Sequence, residues 1–219
     1  MKTIYHKPVM LVEAIQGLKI NPDGVYVDAT FGGGGHSRAI LQKLSMTGRL
    51  LALDQDLEAL QNDITDYRFQ LISGNFSHLN QHLNFYGIST VDGILADFGV
   101  SSHQFDSGYR GFSTRLEGPL DMRMNTQNPL SAYEVVNEYS LEDLEAIFVA
   151  YGELHIAKKL AEIIVSERSQ SPIETTKSLV DLLGPALPKH LFNKIMAQVF
   201  QAIRIEVNAE LDVIKLFLE

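Results

Sequence analysis

Four short apolar segments in the first half of the chain have the pattern of buried strands. They cover residues 25–27, 50–53, 69–72 and 93–96. Each is bounded by Gly, Asp or Asn, which favour turns. The stretches between them have helical length and spacing, and they cover residues 37–44, 57–64 and 77–86. Strand–helix–strand repeats of this kind predict a parallel sheet with helices on both faces.

The second half of the chain has a purely helical pattern. From residue 107 onward no segment is a convincing strand. The segments with helical periodicity are residues 129–136, 141–151, 156–166, 176–183 and 194–218. Ser140 ahead of Asp143, and residues 171–172 ahead of Thr175, are signals for the start of a helix. We therefore predict an α/β domain over residues 1–106, followed by a helical domain.

A run of four glycines, residues 32–35, lies where the first predicted strand turns into the first helix. Glycines at this place let the backbone approach a ligand at the carboxyl edge of the sheet. The second strand ends in Asp54, about 20 residues further on, where a carboxylate can accept both hydroxyl hydrogens of a ribose. The pair predicts a cofactor that contains a nucleoside, with a purely structural glycine turn as the alternative.

The glycine run does not fit the dinucleotide fingerprint G-x-G-x-x-G. The position of the last glycine is occupied by Ser37 in one register and by Arg38 in the other. Asp28 precedes the run, and an acid there would repel the pyrophosphate of NAD but attract the ammonium and sulfonium of S-adenosylmethionine. These two observations favour the methyl donor over NAD.

Polar side chains follow the fourth predicted strand over residues 97–106. This segment is again at the carboxyl edge, next to the predicted cofactor. Asp97 and Gln104 offer hydrogen-bond acceptors, which methyl transfer to an exocyclic base amine needs because the amine lone pair is delocalised into the ring. The alternative is an ordinary turn from strand to helix with its caps.

Residues 108–125 have little regular pattern and combine glycines, aromatic residues and arginines. We interpret them as a substrate loop, since Arg binds phosphate and Tyr or Phe stacks on unpaired bases. The candidate substrate-binding residues are Arg110, Arg115, Asp121 and Arg123. Asp121 and Arg123 alternatively form a local ion pair. His36 and His103 are not in metal-ligand spacing with another His or acid, so no metal is expected.

Composition narrows the function classes. The chain has no cysteine, and its 18 basic and 27 acidic residues give a net charge of −9. This argues against a protein held to nucleic acid by bulk positive charge, although residues 182–205 carry Lys189, Lys194 and Arg204 without an acid. Apolar runs are far shorter than the roughly 20 residues of a membrane helix. The N-terminus lacks the apolar centre of a secretory signal, so we expect a cytoplasmic protein.

These segments together resemble the ribosomal RNA small-subunit methyltransferase H family, also called MraW. The most specific strings are DFGVSS at residues 97–102 and GPLDMRM at residues 118–124. The resemblance begins with YHKPVML at residues 5–11 and includes DATFGGGGHS at residues 28–37. It extends to FQAIRIEVNAEL at residues 200–211 and so covers nearly the whole chain.

The resemblance implies N4-methylation of a cytosine in the decoding region of small-subunit (16S) rRNA. The implied cofactor is S-adenosyl-L-methionine, and the implied partner is the rRNA or the ribosomal subunit. Asp97 is the candidate catalytic residue. The cofactor contacts of the family, carried over position by position, fall on Gly34, Gly35, His36, Asp54, Phe76, Asp97 and Gln104.

The resemblance also implies a Rossmann-like methyltransferase sheet with an inserted all-helical domain, here residues 107–205. Residues 206–219 are then a helix that leads back to the sheet. The family's further strands, with their Ser-Phe-His-Ser-Leu-Glu-Asp-like string, have no counterpart in this sequence. We expect a fragment, a truncated gene product, or a fold completed by another copy in a homodimer, because an open apolar sheet edge invites pairing.

Three functions therefore compete. The first is the rRNA methyltransferase. The second is a non-catalytic module that binds the cofactor but transfers no methyl group, since the closing strands are missing. The third is an NAD-dependent oxidoreductase, against which the missing third glycine and Asp28 argue.

Overall fold

The computed structural model describes residues 8–219. Residues 5–7 of the family motif, and the N-terminal stretch used for the secretory-signal argument, lie outside the described part. The chain forms two compact units, Met1–Ser101 with Asp212–Glu219, and Ser102–Leu211. In chain order the second unit is therefore inserted into the first. The predicted domains, 1–106, 107–205 and 206–219, stay predictions, because compactness alone does not test them.

The first unit contains a four-stranded parallel sheet in the order β3-β2-β1-β4. Its strands are β1 (Val25–Asp28), β2 (Arg49–Asp54), β3 (Phe69–Ser73) and β4 (Gly93–Leu95). All the predicted strands are confirmed, and so is the α/β fold class. β1 is central, with Val27 opposite Leu51 on one side and Ile94 on the other. The continuous apolar run in β2 is buried on both faces, as parallel strands require.

Helices cover both faces of this sheet. They are α1 (Leu11–Gly17), α2 (Gly35–Leu41) and α3 (Leu79–Phe85), joined by the 3-10 helices Ala59–Asn62 and Phe76–His78. One core cluster includes Tyr26, Ile40 and Leu50, and the other includes Leu53 and Leu79. Tyr26 and Val27 are successive residues of β1 in different clusters, because neighbouring side chains on a strand point to opposite faces.

The α-helix predicted over residues 57–64 is wrong. Only the 3-10 helix Ala59–Asn62 forms there. Two carboxylates compete for the backbone donors: Asp56 Oδ1 accepts the Glu58 N–H at 3.0 Å, and Asp63 Oδ1 accepts the Ile64 N–H at 2.8 Å. Such local bonds give the backbone an alternative to the helical ladder.

The second unit is helical, as predicted. It contains α4 (Ser102–Asp106), α5 (Ala132–Glu138), α6 (Leu141–Ala150), α7 (Ala157–Arg168), α8 (Thr176–Leu183) and α9 (Phe192–Val207), with 3-10 helices at Gly108–Arg110 and Gly184–Ala186. The start signals are confirmed, since Ser140 Oγ accepts the Asp143 N–H and Thr175 Oγ1 accepts the Ser178 N–H, both at 3.0 Å. The long helix predicted over residues 194–218 is two helices, α9 and α10 (Glu210–Leu218). Ala209 interrupts it with a left-handed φ of +46°.

The core of the helical unit gives a test of its packing. Phe148 of α6 is completely buried, whereas its neighbour Val149 is 55% exposed. We expect Phe148→Ala to lower the free energy of unfolding by about 3–5 kcal/mol, because it leaves a cavity in the core. The matched change Val149→Ala is expected to cost less than about 0.5 kcal/mol. Urea denaturation followed by circular dichroism measures both, and equal costs would contradict the packing described for α6.

Candidate functional site

The glycine loop connects β1 to α2 and depends on glycine at two positions. Gly32 and Gly34 have φ values of +51° and +72°, in the left-handed region. A Cβ on Gly34 would lie 2.8 Å from the ring of Phe31, whereas within residues 8–219 one on Gly32 would meet only Ser101 Cβ, at 3.9 Å. The loop after β1 thus faces the loop after β4 with bare backbone at Gly32, which leaves room for a ligand to lie against it.

Asp28 is completely buried beneath this loop. The Ser37 hydroxyl donates to its Oδ2 at 2.6 Å, and the Thr30 N–H donates to its Oδ1 at 3.2 Å. Burial raises the pKa of Asp28 above the ordinary range of aspartate, while the bond from Ser37 opposes that rise. Asp28 was predicted to attract a cationic cofactor end. In the structure Asp28 joins the end of β1 to the first turn of α2 through its hydrogen bond with Ser37.

Asp54 ends β2 and holds the loops on either side of it. Its Oδ2 accepts the Gly32 N–H at 2.7 Å, and its Oδ1 accepts the Asp56 N–H at 2.9 Å. Burial raises the pKa of Asp54 to about 6. An ionised carboxylate has about four acceptor positions, so two remain for hydroxyl donors. This donor and acceptor chemistry fits the ribose of a nucleoside cofactor.

His36 is the second residue of α2 and is 7% exposed. Its Nε2 lies 3.2 Å from the carbonyl oxygen of Val9. A carbonyl only accepts hydrogen bonds, so Nε2 is the donor in this contact. Pro8 packs against Gly35 so closely that a Cβ there would lie 2.2 Å from Pro8 Cγ. The segment Pro8–Val9 therefore lies against the predicted cofactor residues Gly35 and His36.

The loop after β4 begins with Asp97, whose N–H donates to Thr30 Oγ1 at 2.7 Å. This bond ties the loop after β4 to the loop after β1. The side chain of Asp97 is exposed at the carboxyl edge of the sheet. Gly99, two residues on, has a φ of +122°, which L side chains rarely adopt. Asp97 is thus presented on a turn that needs glycine.

Phe76 follows β3 on a 3-10 helix capped by Asn75, whose Oδ1 accepts the Ser77 N–H at 2.9 Å. The ring of Phe76 lies 5.2 Å from that of Phe98 and 5.3 Å from that of Phe217, measured between centroids. Sequence analysis missed Phe98 and Phe217. Phe98 follows Asp97 directly, and this adjacency was the available signal. Phe217 lies on α10 and gave none.

The first unit therefore brings most predicted cofactor residues to one edge of its sheet. They are Gly34, Gly35, His36, Asp54, Phe76 and Asp97. Gln104 belongs to the second unit, where it is buried in α4. The assignment of these residues to the cofactor stays a prediction. In a parallel sheet this carboxyl edge is where ligands bind.

The predicted substrate loop is held together by its own arginines. Arg110 is 2% exposed and donates from Nη2 to the carbonyl oxygens of Arg123, at 2.9 Å, and Met124, at 3.3 Å. Its guanidinium lies 5.9 Å from the centroid of the Phe112 ring. In this conformation the Arg110 guanidinium is buried and bonds the backbone of the loop itself.

Asp121 and Arg123 form the local ion pair that was the alternative to substrate binding. Nη2 of Arg123 lies 2.7 Å from Oδ2 of Asp121, and Nε lies 3.1 Å from Oδ1. The hydrogen bonds that the Arg123 guanidinium donates to the Asp121 carboxylate raise the pKa of Arg123. Nη1 also donates to the carbonyl oxygen of Asn128 at 2.8 Å. Arg115, the third predicted arginine of this loop, is exposed.

Asn208 is a further residue that sequence analysis missed. Its Oδ1 accepts the Met124 N–H at 2.7 Å, and its Nδ2 donates to the carbonyl oxygens of Met122 and Arg204, both at 2.8 Å. Met122 has a left-handed φ of +57°, a strained conformation for a side chain of this size. Asn208 thus fixes the substrate loop to the end of α9. In the sequence it stands inside the helix predicted over residues 194–218, which gave no signal of this contact.

Neither a metal site nor a membrane span is found within residues 8–219. No group of three or more His, Asp or Glu residues in this part of the chain is arranged to hold a metal ion. No helix in the same part is both long enough and apolar enough to cross a membrane.

Comparison with known proteins gives a consistent result. Residues 3–219 match the profile of the MraW methylase family. The chain is 59% identical to ribosomal RNA small subunit methyltransferase H of Christiangramia forsetii and 56% identical to that of Flavobacterium johnsoniae. Each alignment covers 98% of this chain and 71% of the relative. A putative methyltransferase of antibiotic biosynthesis from Anabaena variabilis overlaps 88% of the chain and is itself covered to 85%, with a TM-score of 0.33 and 13% identity, too low to support an argument.

The anchoring of the glycine loop can be tested at Ser37. We expect Ser37→Ala to lower the free energy of unfolding by about 1–3 kcal/mol at neutral pH, because it removes a donor from the buried Asp28 carboxyl. Ser166→Ala is the control, since Ser166 is an exposed helical serine. It is expected to change stability by less than about 0.5 kcal/mol. Urea denaturation decides, and a Ser37→Ala variant as stable as the control would refute the anchor.

Proposed function

Since the chain belongs to the MraW methylase family, we propose that it transfers a methyl group from S-adenosyl-L-methionine to N4 of a cytosine in the decoding region of small-subunit (16S) rRNA. The observation that carries the proposal is the 59% identity to a ribosomal RNA small subunit methyltransferase H over 98% of the chain. The rRNA, free or within the ribosomal subunit, is the proposed substrate, and the cytoplasm is the proposed place of action.

The edge of the sheet supports the choice of cofactor. Asp54 has acceptor positions left for the two ribose hydroxyls, and the bare backbone at Gly32 lets the ligand lie close to the loop. Gly34, Gly35 and His36 would shape the site for the methionine end. Phe76 would pack on the adenine, and Gln104 is a further proposed contact. When bound, S-adenosylmethionine supplies an electrophilic methyl group on its sulfonium.

Asp97 is the residue best placed to act on the reacting groups. Its exposed carboxylate follows β4, and its backbone is fixed by the bond to Thr30. A carboxylate that accepts a hydrogen bond from the exocyclic amine draws electron density onto the nitrogen and so favours attack on the methyl group. Alternatively, Asp97 polarises the bound cofactor. Arg115 would contact RNA phosphate, while Arg110, Asp121 and Arg123 would hold the loop that presents it.

Cofactor affinity should depend on pH through Asp54. Its pKa is about 6, so protonation as the pH falls below 6 removes an acceptor for a ribose hydroxyl. We expect S-adenosylhomocysteine to bind about tenfold more weakly at pH 5 than at pH 8. Asp54→Asn should bind weakly at both pH values. Isothermal titration calorimetry measures the affinities.

The control for this experiment is Asp63→Asn, at an exposed aspartate beyond the 3-10 helix. It should keep both the affinity and its pH dependence. An affinity that does not change between pH 5 and pH 8 in the unsubstituted protein would contradict the assignment of Asp54 to the ribose.

Methyl transfer itself needs a direct assay. The chain is incubated with the methyl donor, labelled at its methyl group, and with small ribosomal subunits that lack this modification. We expect label on N4 of one cytosine, and Asp97→Ala should slow the reaction by about 100-fold or more. Asp63→Ala should leave the rate unchanged.

This assay, together with calorimetric titration of S-adenosylhomocysteine and NAD, separates the competing functions. If the chain binds S-adenosylhomocysteine but labels no RNA, it is a non-catalytic cofactor-binding module. If it binds NAD tightly and does not respond to S-adenosylhomocysteine, the methyltransferase proposal fails.

A further inference from the structure

Three phenylalanine rings meet at the carboxyl edge of the sheet. We call Phe76, Phe98 and Phe217 the aromatic cluster. Phe76 follows β3, Phe98 follows β4, and Phe217 reaches the edge from α10. The centroid of Phe217 lies 5.3 Å from that of Phe76 and 5.8 Å from that of Phe98, with interplanar angles of 77° and 83°. Each ring therefore contacts both others, and Phe217 meets its two partners edge to face.

The aromatic cluster lies next to the carboxylate proposed to bind ribose. Nδ2 of Asn75 donates to Oε1 of Gln55 at 2.9 Å. Asn75 precedes Phe76, and Gln55 follows Asp54, so this bond joins the turn after β3 to the turn after β2. A base is attached directly to its ribose, and a nucleoside held by Asp54 would place its base close to these turns. The aromatic cluster is the apolar surface available there.

The exposure of the rings separates their roles. Phe98 is 40% exposed although it contacts two other rings. It lies in a loop after the three-residue strand β4, one residue before Gly99 with its φ of +122°. Phe217, in contrast, packs against the core cluster that contains Leu53 and Leu79. One ring of the cluster is thus open to a ligand, and another is partly buried against the core behind it.

We propose that Phe98 contacts the adenine of the methyl donor and that Phe217 positions Phe98 for this contact. The inference rests on the proposed function, since it names further residues for the same cofactor site. The flat apolar faces of adenine and phenylalanine suit each other in stacked or edge-to-face packing. Phe217 limits the movement of a ring whose own loop gives it little support. Phe98 then contributes to the affinity for the cofactor, and Phe217 is a positioning residue.

The test compares variants that keep or remove an aromatic ring. S-adenosylhomocysteine is titrated calorimetrically into the whole chain carrying Phe98→Leu, Phe98→Tyr, Phe217→Ala or Phe217→Leu. We expect Phe98→Leu to bind about tenfold more weakly, since leucine fills the volume but offers no ring. Phe98→Tyr keeps the ring and should bind within about twofold of the unsubstituted chain. Phe217→Ala and Phe217→Leu should each weaken binding by about threefold to tenfold.

Phe85→Ala is the matched control. Phe85 is 83% exposed and its ring contacts that of Tyr86 at 5.2 Å, so the variant also breaks an aromatic pair, away from the carboxyl edge. It should leave the affinity unchanged. Thermal melting without ligand shows whether each variant is folded, and Phe217→Leu provides the test if Phe217→Ala is not.

A merely structural role predicts a different pattern. If Phe98 and Phe217 only fill space, Phe98→Leu keeps the affinity of the unsubstituted chain. Any loss of affinity in the other variants is then explained by their lower stability without ligand. That result, or affinities of Phe98→Leu and Phe217→Leu equal to that of the unsubstituted chain, would overturn the inference. Failure of the unsubstituted chain to bind S-adenosylhomocysteine would instead refute the proposed function, so the two failures are distinguishable.

Discussion

The hydrogen bond from the Gly32 N–H to the Asp54 carboxylate is the interaction on which the site depends. It joins the loop after β1 to the end of β2 at 2.7 Å, and the second oxygen of Asp54 holds the turn that follows. Parallel strands bring their carboxyl ends to one edge but do not fix the loops there. Asp54 does so with a charge-assisted bond to backbone, which is among the stronger types of hydrogen bond. The conformation of the glycine loop and the position of the carboxylate are therefore set together.

Burial of the acidic residues at this edge costs free energy when they are ionised. Asp28 and Asp54 both have raised pKa values, and the chief cause in each is the loss of solvent around the carboxyl group. Neighbouring carboxylates contribute as well, since Asp97 raises the pKa of Asp28, and Asp56 and Asp28 raise the pKa of Asp54. Groups that disfavour their own ionisation in this way cluster at functional sites more often than elsewhere. Two hydrogen bonds offset part of this free-energy cost. The Gly32 N–H donates to Asp54, and the Ser37 hydroxyl donates to Asp28.

Short-range patterns predicted the sheet well. The strands were recognisable because each is an apolar run between turn residues, and Asp54 and the glycine loop follow directly from the strand ends. Where local carboxylates compete for the backbone, as at Asp56 and Asp63, periodicity failed, and the predicted helix shrank to a 3-10 turn. The same pattern could not show that Ala209 would break a long apolar periodicity into α9 and α10.

The pattern of hydrophobic and polar residues could not predict long-range contacts. Arg110, Arg115 and Arg123 look alike in the sequence, but Arg110 is buried, Arg123 is paired with Asp121, and Arg115 is exposed. Which of them faces solvent depends on the fold of a loop without regular structure. Phe217 meets Phe98 only because α10 returns to the sheet. Nothing in the sequence indicated that the Asn208 carboxamide would hydrogen-bond the backbone of Met122 and Met124.

The bonding of Asn208 has a consequence for local unfolding. One carboxamide binds the backbone of the substrate loop on either side of Arg123 and also the carbonyl of Arg204 in the last turn of α9. The end of a helix ordinarily frays independently of its surroundings. Here the last turn of α9 cannot unwind without freeing Met122 and Met124. The helix end and the loop therefore open as one cooperative unit, and the amide hydrogen of Met124 exchanges with solvent no faster than that unit opens.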